Sequence, residues 1–343
     1  MLPSASIAPL LGYREPIVVS HTSPRVLVTG AYGCIGAWVV RGLVEREIPV
    51  VTFDLGDDDY RLAQAMSPDA AARVPRVHGD ITDLAHLEQT LDEHAITNVI
   101  HLAALQVPFC RANPPLGAAV NVVGTTNILE AVKNRSQRMA PLVYASSIAA
   151  YDAMDEANPS PDMKATPGTI YGVFKRANEG SAQIYWSEHA VASIGLRPHT
   201  VYGPGRDQGV TAAPTTAMLA AAAGVPYHVP YGGSAQLQYA PDVARAFIQA
   251  SLSGASGAHV FDLAGEPVHV SQVIEAIASA VPASAGTITF AETTLPFPAA
   301  VDDPALETTI GPLSRTPLEE GVFDTIERFA TLLAEGRIQP PVT

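Results

Sequence analysis

From residue 25 onward, the sequence alternates short apolar runs rich in β-branched residues with longer stretches of helical periodicity. The strand candidates are RVLVTG (25–30), IPVVTFD (48–54), ARVPRVHGD (72–80), NVIHLAA (98–104), PLVYASS (141–147) and VASIGLRP (191–198). The clearest helical stretches between them are 34–47, 84–94, 115–134 and 170–189. Strands separated by helices pair in parallel through right-handed crossovers, so the sequence predicts an α/β fold with a Rossmann-type doubly wound parallel sheet. The carboxyl ends of the strands would share one rim, where such sheets bind ligands.

The composition changes after Gly203, where Gly and Pro loops surround one alanine-rich helix. This change predicts a smaller C-terminal substrate-binding lobe over the rim. The segment AHVFDLAGE (258–266) has the pattern of one more strand that returns to the parallel sheet. The predicted organisation is an N-terminal extension at 1–24, a Rossmann domain at 25–202 plus about 236–265, and the substrate-binding lobe at 203–235 plus 266–343.

Charge and composition exclude several classes of protein. The net charge of -14 disfavours nucleic acid and anionic lipid surfaces as partners, because both would be repelled. We see no window of 18 uninterrupted apolar residues and no secretory leader pattern, so we expect no membrane span and a cytoplasmic location. The cysteines, Cys34 and Cys110, are too few for a disulfide framework, and the 10 histidines show no ligand spacing. No metal site is therefore expected.

The segment TGAYGCIG (29–36) places three glycines at intervals of three residues, directly after a strand and at the start of a helix. Glycines there permit a tight turn and a close backbone approach to a pyrophosphate, whose charge the helix N-terminus favours. The segment therefore predicts a dinucleotide site. Its cofactor-binding candidates are Gly30, Gly33, Cys34, Ile35 and Gly36. The alternative is a glycine-rich loop that serves packing alone.

Aspartates end the second and third predicted strands. Asp54 is placed to accept hydrogen bonds from an adenosine ribose, and its charge would repel a 2′-phosphate, so NAD is expected rather than NADP. Asp80, with the following Ile81, is placed near the adenine. Alternatively, Asp54 is one carboxylate of the acidic loop DLGDDD, and Asp80 serves a turn or an N-cap.

The segment IYGVFK (170–175) places a tyrosine and a lysine four residues apart. On a helix, Tyr171 and Lys175 would share one face, and the ammonium would lower the pKa of the phenol towards the range of a working acid/base group. The segment YASSIAAYD (144–152) ends the fifth strand with two hydroxyls on the same rim. A serine there would hydrogen-bond the oxygen that is oxidised or reduced while Tyr171 exchanges its proton.

Together these segments resemble an extended short-chain dehydrogenase/reductase of the NAD-dependent epimerase/dehydratase group. The resemblance covers roughly residues 25–265 and rests on TGAYGCIG (29–36), Asp54, HLAA (101–104), NVVGT (121–125), SSIAAY (146–151), YGVFK (171–175) and RPHTVYGPG (197–205). It implies NAD as the cofactor. It also implies that helices 115–134 and 170–189 form the bundle of a homodimer, with burial inside the monomer as the alternative.

The resemblance implies a role for each matching residue. The catalytic residues would be Ser147, chosen over Ser146 by its spacing to the tyrosine of SSIAAY, Tyr171 as the acid/base, and Lys175 as the residue that holds the nicotinamide ribose. Asn121 is similar to the asparagine that supports this lysine. The residues expected to line the cofactor further are Leu102, Ala103 and Ala104 through their backbone, and Pro198 and His199 beside the nicotinamide.

The sequence departs from the family pattern at positions that bear on the substrate. Dehydratases of the group place an acidic pair after the catalytic hydroxyl, where this chain has Ile148 and Ala149. Epimerases acting on nucleotide sugars often carry an arginine where this chain has Ala235, so a substrate diphosphate would lose a bidentate partner. The candidate polar walls of the substrate pocket are Gln106, Ser146, Ser147, Thr200, Gln236 and Gln238, each with a structural role as the alternative.

The resulting prediction is an NAD-dependent oxidoreductase that interconverts a secondary alcohol or sugar hydroxyl and the corresponding carbonyl compound. The expected substrate is a small sugar, sugar acid, polyol or other hydroxy compound without a nucleotide. One alternative is a sugar epimerase that keeps NAD tightly bound. Another is an NAD-binding regulatory protein without catalytic activity.

Overall fold

The computed structural model describes residues 23–151, 167–295 and 298–341. Most of the predicted N-terminal extension therefore lies outside the described residues. The strands in the described ranges are β1 (Val26–Thr29), β2 (Val50–Asp54), β3 (Arg76–His78), β4 (Asn98–His101), β5 (Leu142–Ala145), β6 (Ser193–Arg197), β7 (Thr200–Tyr202), β8 (Tyr227–Val229), β9 (Ser234–Tyr239), β10 (Ala258–Asp262), β11 (Pro267–His269) and β12 (Ile288–Phe290).

Helices cover the strands and form most of the remaining chain. The α-helices in the described ranges are α1 (Cys34–Glu45), α2 (Tyr60–Ala65), α3 (Pro68–Ala71), α4 (Leu84–Glu93), α5 (Val107–Ala112), α6 (Pro114–Ala118), α7 (Gly124–Lys133), α8 (Ile170–His189), α9 (Ala213–Ala223), α10 (Ala240–Leu252), α11 (Val270–Ala280), α12 (Pro304–Ile310) and α13 (Leu318–Ala334). Within these ranges, no helix is both long enough and apolar enough to cross a bilayer.

The main sheet is parallel and has the order β10-β6-β5-β4-β1-β2-β3 in the described part of the chain. Both of its faces are buried, because α1 and α10 cover one side and α4, α7 and α8 cover the other. The chain proceeds from β1 to β2 and β3 on one side and returns to β4 on the other. The crevice between β1 and β4 is therefore the topological switch point, where such sheets bind ligands. This confirms the predicted Rossmann-type fold.

The predicted strands are present, and β10 returns to the main sheet as expected. The helix predicted over 115–134 is not one regular helix. It consists of α6, a π-helical turn at Ala119–Val123, and α7. In this turn the backbone carbonyl of Asn121 accepts hydrogen bonds from Asn178 Nδ2 at 2.9 Å and from Thr125 Oγ1 at 2.7 Å. These side-chain donors satisfy a carbonyl at a place where the helical ladder changes its spacing.

A separate apolar cluster lies in the C-terminal part of the chain. Strand β9 pairs with β7 and β11, and β8 pairs with β12. Helices α9, α11 and α13 pack against these strands around buried residues such as Tyr202, Met218 and Phe329. The division into a Rossmann domain and a substrate-binding lobe stays a prediction, and this second cluster supports it.

Candidate active site

The glycine-rich loop closes tightly against the end of β4. Gly30 has φ of +67°, and a Cβ at this position would lie 2.5 Å from the Ala103 backbone nitrogen. A Cβ on Gly36 would lie 2.2 Å from the Gly30 carbonyl oxygen. Larger residues at either position would therefore require the backbone to move. Both glycines are needed for packing, and they also bring the N-terminus of α1 to the switch point, where it suits a pyrophosphate.

Asp54 and Asp80, the residues predicted for the adenosine side, are both held by hydrogen bonds within the chain. Asp54 accepts a hydrogen bond from the Tyr32 backbone nitrogen at 2.9 Å and another from Gly56, which fixes its carboxylate beside the glycine-rich loop. Asp80 accepts hydrogen bonds from the backbone and the hydroxyl of Thr82, both at 2.8 Å. Asp80 thus also fills the turn role that was its alternative. Ile81 is buried next to it.

Across the switch point, Leu102, Ala103 and Ala104 are half-buried on the rim. The Ala103 backbone nitrogen donates to Thr29 Oγ1 at 3.4 Å, so this segment is held against β1. Asn121 is buried, and its amide binds the backbone nitrogen and oxygen of Leu105 at 2.7 and 2.9 Å. This pair of bonds fixes the loop that continues from the rim. Support of the lysine by Asn121 stays a prediction.

The structure separates the two adjacent serines. Successive residues leaving a strand point in opposite directions, and Ser146 turns inwards, where it is 3% exposed and donates to Glu179. Ser147 is half-buried on the rim and hydrogen-bonds the Tyr171 hydroxyl. Ser146 was expected to contact the substrate, but its position in the interior places it out of reach. Ser147 remains the candidate catalytic serine.

Tyr171 and Lys175 lie on the same face of α8, as predicted. The Lys175 ammonium is 5.4 Å from the centroid of the Tyr171 ring and donates to the Ala145 carbonyl at 2.7 Å. Lys175 is 4% exposed, and burial lowers its pKa to about 8. The Lys175 side chain is thus anchored to the end of β5 and lies next to the Tyr171 ring.

The expected effect of the lysine on the tyrosine needs a correction. Burial raises the pKa of the Tyr171 phenol above its ordinary value, because desolvation disfavours the tyrosinate. The opposing influences that lower this pKa are the hydrogen bond from Ser147 and the nearby charge of Arg206. The effect of burial on the Tyr171 pKa is therefore larger than the opposing effects of Ser147 and Arg206. These two residues, and not Lys175, favour the tyrosinate.

A buried ion pair holds α8 against the sheet, and the sequence analysis did not identify it. Arg197, at the end of β6, donates to both carboxylate oxygens of Glu179 at 2.7 and 2.8 Å. Its remaining nitrogen donates to the Tyr151 hydroxyl at 2.7 Å, and Tyr151 in turn donates to Asp262 at 2.6 Å. Glu179 follows Lys175 by four residues on the same helix. The available signal in the sequence was Glu179 itself, because an acidic residue on the helix face that packs against the sheet requires a buried cation as its partner.

The residues expected to line the substrate pocket take different positions. Thr200 and Gln236 are each 1% exposed. Gln236 donates to the carbonyls of Gly265 and Val301, both at 2.6 Å, and therefore braces the chain instead of facing the rim. Gln238 is also buried and accepts a hydrogen bond from the His199 backbone nitrogen at 2.9 Å. Gln106 is half-buried at the start of α5.

The segment after β6 closes this end of the site. The Pro198 carbonyl accepts a hydrogen bond from the Ile148 backbone nitrogen at 3.1 Å. The His199 ring binds the Pro298 carbonyl at 2.7 Å and the Thr200 hydroxyl at 3.2 Å. Burial lowers the pKa of His199, so the neutral imidazole is favoured. Pro198 thus lies beside the loop that carries Ser147, and the border of the nicotinamide formed by Pro198 and His199 stays a prediction.

Residues 203–207, which we call the strap, tie the C-terminal part of the chain to the glycine-rich loop. Trp38 Nε1 donates to the Pro204 carbonyl at 2.9 Å. Arg61 pairs with Asp207 at 2.8 Å and also donates to the Tyr32 carbonyl at 3.3 Å, while the Tyr60 hydroxyl donates to Asp207. The strap is therefore fixed to α1 and α2, and Arg61 links it to the loop that would hold a pyrophosphate.

His101 is buried beneath the rim and forms part of a directed hydrogen-bond chain. The Thr125 hydroxyl donates to the Asn121 carbonyl at 2.7 Å, so its oxygen accepts from His101 Nε2 at 3.1 Å. The other ring nitrogen, Nδ1, then accepts from the Thr29 hydroxyl at 2.7 Å. This arrangement suits a neutral imidazole. Burial, together with the charge of Lys175, lowers the pKa of His101 from 6.5 to about 3.

Acidification is therefore expected to weaken the fold through His101. Its pKa is lower in the folded state, so the unfolded chain binds more protons, and stability is complete above the unfolded pKa and falls as the pH drops below about 6.5. Between about pH 7 and pH 5 the loss should be roughly 2 kcal/mol. Urea unfolding across this range measures it, and His101→Gln should flatten the dependence. An equally steep dependence in the variant would contradict the assignment.

The residues present fit a dinucleotide. The loop offers a backbone cradle that a Cβ would fill, a helix N-terminus for an anion and a fixed carboxylate for a ribose. The strap is held next to this loop by its bonds to Trp38 in α1 and Arg61 in α2. Ser147, Tyr171 and Lys175 lie on the same rim, where one end of an extended ligand would meet an acid/base pair.

The sequence and the fold match proteins of known type. Residues 26–264 match the NAD dependent epimerase/dehydratase family. UDP-glucuronate 4-epimerase 2 of Arabidopsis thaliana is 34% identical over 192 residues, which cover 54% of this chain and 44% of that protein. The inactive mitochondrial L-threonine 3-dehydrogenase of Homo sapiens is 34% identical over 156 residues, covering 44% of this chain and 63% of that protein. The matched region thus spans about half the length of these curated relatives.

A solved structure extends the match beyond the nucleotide-binding region. The holo form of a GalE-like L-threonine dehydrogenase from Cupriavidus necator has a TM-score of 0.76 and is 25% identical. The superposition covers 89% of this chain and 99% of that chain. The C-terminal part of the chain therefore shares its architecture with this neighbour as well.

Proposed function

The chain belongs to the NAD-dependent epimerase/dehydratase family. From this premise we propose that it is an enzyme with NAD as its cofactor, which oxidises a secondary alcohol of a small hydroxy compound to a ketone or carries out the reverse reduction. The observation that carries the proposal is the position of Tyr171, whose ring lies 5.4 Å from the Lys175 ammonium and whose pKa Ser147 lowers, above a lysine anchored at the end of β5. This acid/base pair lies at the same rim as the glycine-rich loop.

Each residue has a defined task in the proposed reaction. The bound NAD supplies the hydride acceptor. Ser147 donates a hydrogen bond to the reacting oxygen and orients it. Tyr171 removes the hydroxyl proton in the oxidation direction, and Lys175 contributes positive charge below the phenol and a donor towards the cofactor ribose. Because Tyr171 is half-buried, competition from bulk water at the phenol is reduced.

Two features support a substrate without a nucleotide. The position where nucleotide-sugar epimerases often carry an arginine is Ala235, which is 3% exposed and lies in β9 opposite Val268. Gln236, next to it, is occupied by the carbonyls of Gly265 and Val301. Neither residue offers a cation to a diphosphate. A solved neighbour named for threonine, a small hydroxy amino acid, is consistent with this reading. The second apolar cluster would form the substrate-binding lobe.

The strap favours a second candidate, an epimerase that retains its cofactor. Arg61, Tyr60 and Trp38 fix the strap to α1 and α2, next to the glycine-rich loop, and a cofactor held between these elements would leave slowly. An epimerase needs this retention, because the hydride returns to the substrate in the same turnover. The relative from Arabidopsis thaliana is named as a 4-epimerase. A catalytically silent NAD-binding protein is the third candidate.

A substrate screen separates the three candidates. Sugars, sugar acids and small hydroxy acids are incubated with enzyme and NAD, and NADH is followed by absorbance, with NADP as a control. Net NADH formation with at least one hydroxy compound is expected. Transient reduction of bound cofactor without released NADH would favour the epimerase. Binding of NAD without turnover across the whole panel would favour the silent protein.

We also propose a homodimer in the cytoplasm. The helices expected to form the dimer bundle expose large apolar side chains, namely Leu116, Val123, Val173 and Ile184. Such residues on neighbouring helices are typical of an interface. Light scattering coupled to size-exclusion chromatography measures the mass of the particle in solution, and a monomer at micromolar concentration would contradict the proposal.

A further inference from the structure

Arg206 is the one strap residue whose cation is directed to the reaction centre. Its backbone nitrogen donates to the Gly203 carbonyl at 3.0 Å, and its guanidinium donates to the Thr211 hydroxyl at 2.6 Å. These two bonds fix the side chain at both ends. Its charge acts on Tyr171, on Cys34 at the start of α1 and on Tyr231. Arg206 is therefore within electrostatic reach of both Cys34, at the start of α1, and Tyr171.

The guanidinium retains unused hydrogen-bonding capacity. Among the described residues, Arg206 Nε is buried and has no partner. The Tyr231 hydroxyl nearby is also buried and unpartnered in these ranges, and the residue is 2% exposed. Buried donors without acceptors are rare in folded proteins, because each costs about 1–3 kcal/mol. Arg206 Nε and the Tyr231 hydroxyl, on which the Arg206 charge acts, are thus available to a ligand that brings its own acceptor oxygens.

Arg61, the arginine that pairs with Asp207 of the strap, does not offer the same site. Arg61 is paired with the Asp207 carboxylate at 2.8 Å, so its charge is already compensated. Arg206 donates to a neutral hydroxyl instead. The chain as a whole carries a net charge of -14, yet among the described residues the groups that act on Tyr171 include the cation of Arg206 and no carboxylate. The cleft is thus locally suited to an anion.

We propose that Arg206 anchors the carboxylate of the substrate, with Tyr231 as a second donor, so that the substrate is a small hydroxy acid. This inference rests on the proposed function and names its substrate class. A guanidinium presents parallel N–H donors that match the two oxygens of a carboxylate. With the carboxylate held at Arg206, the hydroxyl of a short chain would reach Ser147 and Tyr171. Gln106, near Gly209 of the following loop, borders the same space.

An anionic partner of Arg206 has two sources, the substrate carboxylate and the cofactor pyrophosphate, and the experiment separates them. Wild type, Arg206→Gln and Arg206→Lys are compared, with Arg73→Gln as the control, because Arg73 is exposed and the change in net charge is the same. Probes are glycerate, 3-hydroxybutanoate and threonine, each paired with its methyl ester, and glucuronate paired with glucose. Isothermal titration calorimetry on the NADH-loaded protein measures their binding, and NAD affinity is measured separately.

At least one carboxylate should bind wild type more tightly than its neutral partner does. Arg206→Gln should weaken the binding of that carboxylate by about 10²-fold, because the charged hydrogen bonds are lost. The affinity for the neutral partner should stay within about twofold of wild type. The carboxylate affinity of Arg206→Lys should lie between those of wild type and Arg206→Gln, and the affinity of Arg73→Gln should match that of wild type. NAD affinity and the melting temperature should stay unchanged.

Three results would overturn the inference. One is a wild type that prefers no carboxylate of the panel over its neutral partner. Another is an equal loss of affinity for charged and neutral probes in Arg206→Gln, which would indicate that Arg206 acts through Tyr171. A third is a loss of NAD affinity with the carboxylate preference intact, which would assign Arg206 to the pyrophosphate. Binding is measured without turnover, so a failure of the proposed oxidation would appear separately, as carboxylate binding without NADH formation.

Discussion

Replacing Tyr171 by phenylalanine is expected to lower kcat by about 10²- to 10⁴-fold, which is the usual contribution of a positioned acid/base group. The variant removes one oxygen and leaves the ring in its place beside Lys175, 5.4 Å from the ammonium. The contacts of the glycine-rich loop and of Asp54 do not involve this oxygen. NAD affinity should therefore change little, and the loss should fall on the chemical step.

The measurement is NADH formation under saturating NAD with a substrate found in the screen, alongside NAD binding by fluorescence. Tyr185→Phe is the matched control, because Tyr185 lies on the same helix and its hydroxyl contacts Glu130, away from the rim. Tyr185→Phe should keep the activity of the wild type. Turnover close to wild type in Tyr171→Phe would end the proposed mechanism.

The pH dependence of the wild type gives a second view of the same group. Burial raises the pKa of Tyr171, while Ser147 and Arg206 act in the opposite direction. Removing the Ser147 donor should therefore raise the pKa of the phenol further. In Ser147→Ala, the oxidation rate should remain low until a higher pH than in wild type, because the tyrosinate is the base.

Local rules were sufficient for the fold and for one half of the site. Alternating strand and helix patterns gave the parallel sheet, since strands buried on both faces must be apolar throughout. The glycines of the loop were identifiable because their spacing meets a steric requirement, which the Gly30 and Ala103 contact displays. Tyr171 and Lys175 were identifiable for a similar reason, because helical geometry alone places them side by side.

The other half of the site depends on contacts between distant parts of the chain. The family spacing selects Ser147 over Ser146, but the partner that holds Ser146 inwards, Glu179, is 33 residues away in sequence. Gln236 carries a polar amide that suits a pocket, yet two carbonyls from separate loops occupy it. The position of Arg206 likewise depends on the strap, whose contacts with Trp38 and Arg61 join parts of the chain more than a hundred residues apart.

The ion pair beneath the catalytic helix carries the second large effect. Arg197 and Glu179 are each 4% exposed, and both carboxylate oxygens are engaged. Arg197→Met would leave a buried carboxylate without its cation, and such a change costs about 3–5 kcal/mol. The free energy of unfolding, measured in urea near pH 7, should fall by this amount. Because α8 carries Tyr171 and Lys175, activity should fall as well, even under conditions where the variant stays folded.

A double variant tests whether the unpaired charge is the cause. Arg197→Met with Glu179→Gln removes both charges, so it should recover more than half of the stability that Arg197→Met loses.

Arg138→Met is the matched control for this experiment. Arg138 pairs with Asp92 at 2.8 Å, but its side chain is 63% exposed, so its loss should change stability by less than about 1 kcal/mol. A loss for Arg197→Met as small as that for Arg138→Met would show that the buried pair does not hold the helix. A double variant no more stable than Arg197→Met would point to lost packing instead, because the arginine stem also fills space between α8 and β6.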